Sequence, residues 1–521
     1  MGRVFSTAHV SIAHWSVYAW GAIGTATAYI ALTCWWLTQD HSIPVYDAGD
    51  HLYTALEYHQ MLAAGNLLGP FTQNTIYPIL GGIVGALAVF VGGVNVAAPI
   101  VGENLIFVPL LALGCYQTGR LLFGRPAGML AVVFVLGSPL LSSQFHVFML
   151  DAPLTALVAV SVWLMLASKD FSRWEIAALA GLAVGLGFNM KSQFPLFVAG
   201  LTLFMLVRGG WRNWRGFAIF CVPAIVVGAP WYIYHFSELN KLLELGGNLS
   251  GANPANFPPT LSTANLLWYF WSVLNSQLLT PLFVLVAGGT LWTLVKVVRG
   301  DSRRALRLEF LVGAFTAWLA ITITRHHDVR YGMPLLAYLA VIGTGWIVYL
   351  PRTSRLAALA LLAIGVVGNT LGNDFGVGRE VKLAVGSNQV VAYSTTGFLV
   401  GAPSYDGDVP SLLEALHREG VKIVTWTLKQ SEAPDFSLEG LLPLVRIAGL
   451  EPSVTQRLEY ASLANVATLV HEPVSDSKPP PCARLSDGTG VWVVRYDTVA
   501  KKFASYCPTR RPQFYAPGVG V

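Results

Sequence analysis

Charged side chains are scarce in this sequence. Only 12% of its 521 residues are Asp, Glu, Lys or Arg, whereas 54% are hydrophobic and the mean hydropathy is +0.55. Because a soluble domain carries about 25% charged residues, this chain has too little polar surface to cover a soluble globule of its size. The composition excludes a soluble enzyme, a disordered chain and a nucleic-acid-binding protein. It predicts a polytopic α-helical membrane protein.

Cysteine is also scarce. The chain has five cysteines, which are too few for a disulfide scaffold. Cys34, Cys115 and Cys221 lie in apolar runs, where we expect them to be packing residues. Cys482 and Cys507 lie in the polar C-terminal region, and they can pair if that region faces an oxidising compartment.

Long apolar runs recur up to residue 372. They have lengths of roughly 17–25 residues, as a helix needs to cross a bilayer, and they predict about eleven transmembrane helices. The first is predicted to be an uncleaved signal anchor, because no small-residue cleavage site precedes Gln39. The predicted spans are 16–38, 100–118, 126–144, 151–168, 174–190, 193–208, 216–235, 268–295, 308–324, 331–350 and 355–372.

Lys and Arg are concentrated in short connections between these spans. The connections are 120–125, 169–173, 208–215, 296–307 and 352–355. Cytoplasmic loops are enriched in Lys and Arg. Eleven spans with a cytoplasmic N-terminus place every one of these connections on the cytoplasmic side of the membrane. A further span at 78–94 would reverse the pattern. We therefore predict that 78–94 is an interfacial helix within a long first external loop, 39–99.

Composition changes near residue 373, because the last 149 residues hold 29 of the 61 charged residues. The predicted topology places residues 373–521 on the external side. An amphipathic segment ending at Gly420, followed by a β-branched run from Val421 to Val424, predicts a helix and a strand. Such units are typical of layered α/β folds. We therefore predict a transmembrane module, 1–372, and a soluble extracytoplasmic α/β domain, 373–521.

Ionisable residues remain at one membrane boundary. Such groups are costly at membrane depth and are usually functional. Asp47 and Asp50 follow the first span, Asp151 begins the fourth, and Lys191 follows the fifth. A charged segment, 325–330, lies between the ninth and tenth spans. The predicted topology places all of them externally, so several loops are predicted to form one polar site.

Each of these residues also has a purely structural explanation. The aspartates can cap helices, and Lys191 can extend towards lipid headgroups. The functional explanation is that carboxylates deprotonate a hydroxyl acceptor, while cations hold a phosphate leaving group. A lipid-linked phosphosugar would place its phosphate at this depth.

The segment 325–330 allows a metal site as well. His326, His327 and Asp328 are side chains of the kind that bind divalent metals, but their spacing matches no stereotyped motif. A divalent metal is therefore a possible cofactor, and the sequence predicts no other cofactor. The alternatives are an anion site and a solvated loop that touches lipid phosphates.

A series of short motifs accompanies these residues in order. They are Asp50-His51, Tyr53, Ala55, Gly65, Tyr77-Pro78, the run GRLLFGRPAGMLA, Ser138-Pro139, Leu150-Asp151, Met190-Lys191, Arg330-Tyr331 and Pro334. Together they resemble the membrane glycosyltransferases of the GT-C superfamily, especially the branch with protein O-mannosyltransferases and the lipid A aminoarabinose transferase. The resemblance covers roughly residues 15–350. His51 stands where that family usually has Glu, and Asp47 is the candidate substitute.

The resemblance implies roles for these residues. Asp50 would be the base that deprotonates the acceptor hydroxyl, and Asp151 would orient the acceptor or the base. Lys191 and Arg330 would hold the donor phosphate. Further substrate-binding candidates are Arg325, Tyr331, His51 and Tyr53. The implied reaction is an inverting transfer of a sugar from a polyprenyl-phosphate donor to a glycan, lipid or protein acceptor on the extracytoplasmic side.

Two other functions stay open from the sequence. A secondary transporter would place its polar site near the bilayer midplane between repeated halves, and no repeat is visible here. A non-catalytic membrane scaffold subunit is compatible with the His51 departure. The expected location is a plasma membrane, with a prokaryotic host favoured because no retention signal ends the chain.

Overall fold

The chain is mainly helical. The computed structural model describes residues 16–40, 44, 47–73, 75–237, 258–324, 327–386, 388–395, 423–427, 438–449, 451–453, 466–471, 491–497 and 502–505. The predicted helix ending at Gly420 lies outside these residues, as do Cys482 and Cys507. Cys115 is buried, whereas Cys34 and Cys221 are partly buried; all three are free thiols.

The described residues form seventeen α-helices. They are α1 Val17–Leu37, α2 Asp47–Ala63, α3 Gly69–Thr72, α4 Ile79–Gly92, α5 Ala97–Phe123, α6 Arg125–Leu136, α7 Pro139–Phe145, α8 Asp151–Ser168, α9 Trp174–Met190, α10 Pro195–Arg208, α11 Trp214–Tyr234, α12 Thr263–Ser272, α13 Leu279–Val298, α14 Arg304–Ile323, α15 Leu336–Gly345, α16 Arg352–Asn369 and α17 Leu438–Ile447. Short 3₁₀-helices occur at Gly210–Asn213, Val329–Leu335 and Ile347–Tyr349, and π-helical turns at Val273–Leu278 and Thr370–Asp374.

Many of these helices can cross a membrane. Within the described residues, eight continuous helical segments, some of them made of two or more of these elements, are long and apolar enough, or nine if α6 and α7, bent by 66°, form one broken span. The apolar helices α9 and α10 are shorter. The chain is thus an integral membrane protein, and a helix lies at each predicted span, but the count of eleven stays a prediction.

The helix predicted to lie at the outer interface is α4. It has 14 residues, begins after Pro78 and is apolar throughout. At 1.5 Å per residue it is about 21 Å long, which is less than the roughly 30 Å hydrocarbon thickness of a bilayer. This length agrees with an interfacial helix, whose depth in the membrane remains a prediction.

Small residues bring the central helices together. A Cβ atom on Gly114 of α5 would lie 2.5 Å from the Ala159 carbonyl carbon of α8, and one on Gly181 of α9 would lie 2.0 Å from the Phe220 oxygen of α11. Such contacts are the usual basis of helix packing in membranes. Almost every side chain of α8 is buried as a result. This helix is therefore a rigid support for the residues at its two ends.

The break between α6 and α7 is stabilised by contacts with α16, which lies far along the chain. Gly137 packs directly against Val366 of α16. Asn369 Nδ2 donates a 3.0 Å hydrogen bond to the Gly137 carbonyl oxygen, and Pro139 begins α7 without an N–H to satisfy. The last helix of the transmembrane module thus supplies the partner that the broken helix lacks.

Strands occur only after α16 in the described part of the chain. An antiparallel pair is formed by β1 Val381–Val385 and β2 Asn388–Tyr393. The remaining strands form a five-stranded sheet in the order β4-β3-β5-β6-β7, parallel except for β7. Their bounds are β3 Ile423–Thr427, β4 Glu451–Ser453, β5 Val466–His471, β6 Val491–Asp497 and β7 Lys502–Ser505. The predicted strand from Val421 to Val424 overlaps β3, while the domain boundary at 372 stays a prediction.

Candidate active site

A buried ion pair joins the ends of two central helices. Asp151 is the first residue of α8 and Lys191 follows the last residue of α9. Lys191 Nζ donates a 2.7 Å hydrogen bond to Asp151 Oδ1, and the Asp151 side chain is fully buried. Asp151 Oδ2 has no hydrogen-bond partner in the part of the chain that the structure describes. A buried carboxylate needs a paired cation, and Lys191 supplies it.

A second group of charges is organised by Arg330. This residue lies in the 3₁₀ turn before α15, and Asp328 caps that turn by accepting a 2.8 Å hydrogen bond from the Arg330 backbone N–H. The guanidinium binds Asp328 through Nε and Nη2, and it binds Asp47 through Nη1 at 2.9 Å. Burial raises the pKa of Asp328, but the hydrogen bonds and charge of Arg330 outweigh it and hold that pKa below its usual value.

Tyr331 joins the two groups. It follows Arg330 in the chain, and Lys191 Nζ lies 5.1 Å from the centre of its ring, within the range of a cation–π contact. We call Asp47, Asp151, Lys191, Asp328 and Arg330 the ion-pair cluster. The loops predicted to converge do so here, at helix ends rather than along the middle of helices.

Helix α2 brings further predicted residues to this cluster. Asp47 and Asp50 both lie in its first turn, and Asp50 is partly buried. His51 is 5% exposed, with its ring 4.4 Å from that of Tyr77. Burial, followed by the positive charge of Lys191, lowers the pKa of His51 to about 3. His51 is therefore a neutral side chain at physiological pH and does not replace a second carboxylate.

Tyr53 is placed differently. Its hydroxyl accepts a 3.3 Å hydrogen bond from Arg446 Nη2, and the Arg446 guanidinium lies 5.6 Å from the centre of its ring. Arg446 also pairs with Glu57 at 3.5 Å. Arg446 belongs to α17, which packs against α2. Tyr53 thus contacts the C-terminal region, and the ion-pair cluster is formed without it.

We expect the Arg446–Glu57 contact to hold α17 on α2. A double-mutant cycle with Arg446→Ala and Glu57→Ala should give a coupling energy of about 1 kcal/mol, as for a partly exposed pair. Thermal unfolding of the full chain in detergent measures it. The reversed pair Arg446→Glu with Glu57→Arg should recover much of the lost stability. Additive single effects would mean that this contact is not formed in solution.

An apolar cleft opens beside Arg330. Its volume is about 450 Å³, and Trp268 and Trp271 of α12 line it together with Val329, the neighbour of Arg330. Leu267 adds apolar surface. The cleft is mainly apolar and aromatic, and Val329 in its lining is the chain neighbour of the positively charged Arg330. This combination suits a ligand with an anionic head and an apolar tail.

The predicted metal ligands are only partly described. His327 packs against the rings of Trp268 and Tyr269, while both Asp328 oxygens bind Arg330. His326 and Arg325 lie outside the described residues. Among the residues that the structure describes, no group of three or more His, Cys, Asp or Glu side chains could hold a metal ion. A metal at His326, His327 and Asp328 stays a prediction.

Three neighbouring groups were not singled out from the sequence. Glu103 is buried inside α5, close enough to Asp151 to feel its charge; an acidic residue within an apolar span is a signal that could have found it. Glu57 lies one helical turn after Tyr53, and this spacing is only a weak sequence signal for a functional residue. No sequence signal pointed to Arg446, because its partners lie 389 or more residues away in the chain.

The fold can now be compared with known proteins. Residues 77–234, which include Asp151 and Lys191, match the family model described as dolichyl-phosphate-mannose-protein mannosyltransferase. This match covers less than a third of the chain and is a similarity to that family. The resemblance predicted from the sequence is confirmed. A search of curated proteins finds no match.

Two solved structures show the same fold. ArnT from Cupriavidus metallidurans bound to undecaprenyl phosphate superimposes with a TM-score of 0.52 at 16% identity, covering 68% of this chain and 66% of that one, just under two thirds of its length. ArnT from the same organism in the apo state gives a TM-score of 0.51 at 15% identity, covering 83% and 77%. At these identities the likeness is one of fold.

Proposed function

We propose that this protein transfers a sugar from a polyprenyl-phosphate donor to an acceptor hydroxyl on the extracytoplasmic side of the membrane, with inversion. The observation that carries the proposal is the joining of Lys191 and Arg330 in one ion-pair cluster beside an apolar cleft. The fold of an ArnT bound to undecaprenyl phosphate supports it. The acceptor is a glycan, a lipid or a protein.

The donor would bind with its phosphate between Lys191 and Arg330. Arginine binds phosphate in the same paired geometry in which Arg330 Nε and Nη2 bind the two Asp328 carboxylate oxygens. Asp47 contacts the outer Nη1 and is the more exposed of the two carboxylate partners, so a donor phosphate can take its place. The polyprenyl chain would then follow the cleft past Trp268 and Trp271 into the bilayer.

The reaction would be a single displacement. Asp50 takes the proton of the acceptor hydroxyl, whose oxygen forms a new bond to the anomeric carbon. The bond from that carbon to the phosphate oxygen breaks, and the electron pair leaves with polyprenyl phosphate. Lys191 and Arg330 stabilise the negative charge that develops on it. One displacement inverts the anomeric configuration.

Asp151 has a different role in this proposal from the one that the resemblance implied. Its carboxylate is fully buried and bonded to Lys191, so it holds the ammonium group in place rather than orienting the acceptor. Asp47 is bonded to Arg330, and Asp50, three residues further along α2, keeps the role of base that the resemblance implies.

The position of the cluster also bears on the alternatives. A transporter site lies near the bilayer midplane, whereas these residues lie at the beginning of α2 and α8, after the end of α9 and before α15. A scaffold subunit does not require costly buried charges to meet at one place. Both points favour the transferase, which we place in a prokaryotic plasma membrane with a cytoplasmic N-terminus.

Arg330→Lys is the sharpest test of the donor site. Lysine keeps the charge but loses the paired donors, so we expect the affinity for undecaprenyl phosphate to fall by about tenfold, equivalent to roughly 1.4 kcal/mol. Native mass spectrometry of the full chain in detergent measures this. Arg352→Lys, an exposed cation outside the cluster, is the matched control. Equal affinity of the two variants would exclude Arg330 from the donor site.

The activity itself is tested in proteoliposomes supplied with polyprenyl-phosphate sugars. Release of polyprenyl phosphate together with a glycosylated acceptor supports the transferase. Binding of the lipid without release, for every donor and acceptor offered, would favour the scaffold. Exchange of a solute across the membrane would favour the transporter.

A further inference from the structure

The turn between α8 and α9 has an unusual backbone. Lys169, Asp170 and Phe171 are three consecutive non-glycine residues with positive φ angles of 52°, 52° and 61°. Such conformations are strained and persist only where surrounding contacts fix them. This turn lies at the opposite end of α8 from Asp151, about 27 Å away along an 18-residue helix. It is therefore separate from the candidate active site.

Several contacts hold the turn in this shape. Arg208 Nη2 pairs with Asp170 Oδ2 at 2.7 Å, and Asn213 Nδ2 donates a 3.0 Å hydrogen bond to the Asp170 carbonyl oxygen. Phe171 is fully buried. A Cβ atom on Gly216 would lie 1.9 Å from the Phe171 oxygen, so only glycine lets α11 approach this closely. These contacts thus fix the conformation of the turn in the folded protein.

The turn and the start of α11 line an open cavity of about 730 Å³. Ser172, Asn213, Arg212 and Arg215 supply polar groups to its lining, and Trp174 and Trp214 supply aromatic surface. The guanidinium of Arg212 lies 5.0 Å from the ring centre of Trp211, and that of Arg215 lies 5.6 Å from the ring centre of Trp214. The cavity is therefore both basic and aromatic.

These two arginines are not neutralised nearby. In the residues that the structure describes, neither Arg212 nor Arg215 forms an ion pair with a carboxylate. The one acidic residue of the turn, Asp170, is already paired with Arg208, and Lys169 and Arg173 add positive charge beside it. The cavity is thus complementary to an anion, and its aromatic rim is typical of membrane interfaces.

An apolar path leads away from the cavity. Arg215, Ile219, Val222 and Val226 recur at three- and four-residue spacing and so share one face of α11. Val222 and Val226 are 60% and 65% exposed, as expected of side chains that face lipid. A ligand with its head at Arg215 would therefore lay its tail along this face.

We propose that this cavity is a binding site for the headgroup of an anionic phospholipid. The phosphodiester would bind Arg212 and Arg215, with Ser172 and Asn213 as further polar partners, and an acyl chain would follow α11. Arginine suits phosphate because its N–H groups form paired hydrogen bonds. Basic pockets between membrane helices on the cytoplasmic side, where this turn is predicted to lie, have this chemistry.

Native mass spectrometry of the full chain in detergent tests the proposal. Phosphatidylglycerol, phosphatidylcholine and inorganic phosphate are added separately to the wild type and to Arg212→Ala/Arg215→Ala. Arg299→Ala/Arg304→Ala is the matched control, since both are exposed cations on the same predicted side. Retained thermal unfolding of each variant shows that it is folded.

The expected result is selective binding of phosphatidylglycerol that falls at least fivefold in Arg212→Ala/Arg215→Ala and is unchanged in the control pair. The affinity of Arg212→Lys/Arg215→Lys for phosphatidylglycerol should lie between those of the wild type and the alanine variant, because lysine keeps the charge but lacks the paired N–H donors. An equal loss of phosphatidylglycerol binding in both double-alanine variants would mean that the lipid is held by general charge attraction, and it would overturn the proposed binding site. Equal binding of phosphatidylcholine, or competition by inorganic phosphate at the same concentration, would overturn the lipid assignment.

Discussion

Asp50→Asn should lower the rate of sugar transfer by about 10²–10⁴-fold while leaving donor binding unchanged. The amide preserves the shape of the side chain but cannot take the proton of the acceptor hydroxyl, and general base catalysis contributes about that factor. Rates are measured with saturating donor in proteoliposomes. Binding of undecaprenyl phosphate to the same variant is measured separately, because a loss confined to the rate identifies a group that acts on the acceptor.

Glu175→Gln is the matched control for this variant. Glu175 is an exposed acid in the first turn of α9, as Asp50 is an acid in the first turn of α2. The Glu175→Gln variant should transfer sugar at the wild-type rate. Full activity of Asp50→Asn would remove Asp50 from the role of base, and Asp47→Asn would then be the next variant to compare.

Lys191→Met should destabilise the protein strongly. It leaves the fully buried Asp151 carboxylate without its partner, and removing one member of a buried ion pair costs about 3–5 kcal/mol. The expected observation is a clear fall in the unfolding temperature of the full chain in detergent. Donor binding should also be lost, since Lys191 is one of the two proposed phosphate ligands.

The double variant Asp151→Asn/Lys191→Met separates these two effects. Replacing both charges removes the unpaired carboxylate, so stability should return close to that of the wild type. Donor binding should stay lost, because no ammonium group remains. A double variant as unstable as Lys191→Met would show that the ion pair is not the source of the effect, and one that binds donor normally would exclude Lys191 as a phosphate ligand.

Much of the transmembrane fold was predictable because local rules determine it. Apolar length and the distribution of Lys and Arg located the helices, and α4 was found because a span at 78–94 conflicted with the charge pattern. The bend between α6 and α7 was not predicted. It depends on contacts with α16, which lies more than 200 residues later in the chain.

The residues of the ion-pair cluster could be named from the sequence, but the partner of each could not. The cost of charge at membrane depth identified Asp151, Lys191 and Arg330, yet it could not show that Lys191 binds Asp151 or that Arg330 binds Asp47 and Asp328. Pairing depends on which helix ends meet. Tyr53 illustrates the limit, because its neighbour Arg446 lies in a region whose packing no local pattern reveals.

The contact between Asn369 and Gly137 has a consequence for how the protein is made. A ribosome delivers residue 137 to the membrane long before residue 369, so the Gly137 carbonyl reaches the bilayer before its partner has been synthesised. Unpaired backbone groups are costly in hydrocarbon. We therefore expect the bend between α6 and α7 to reach its final packing only after α16 has entered the membrane.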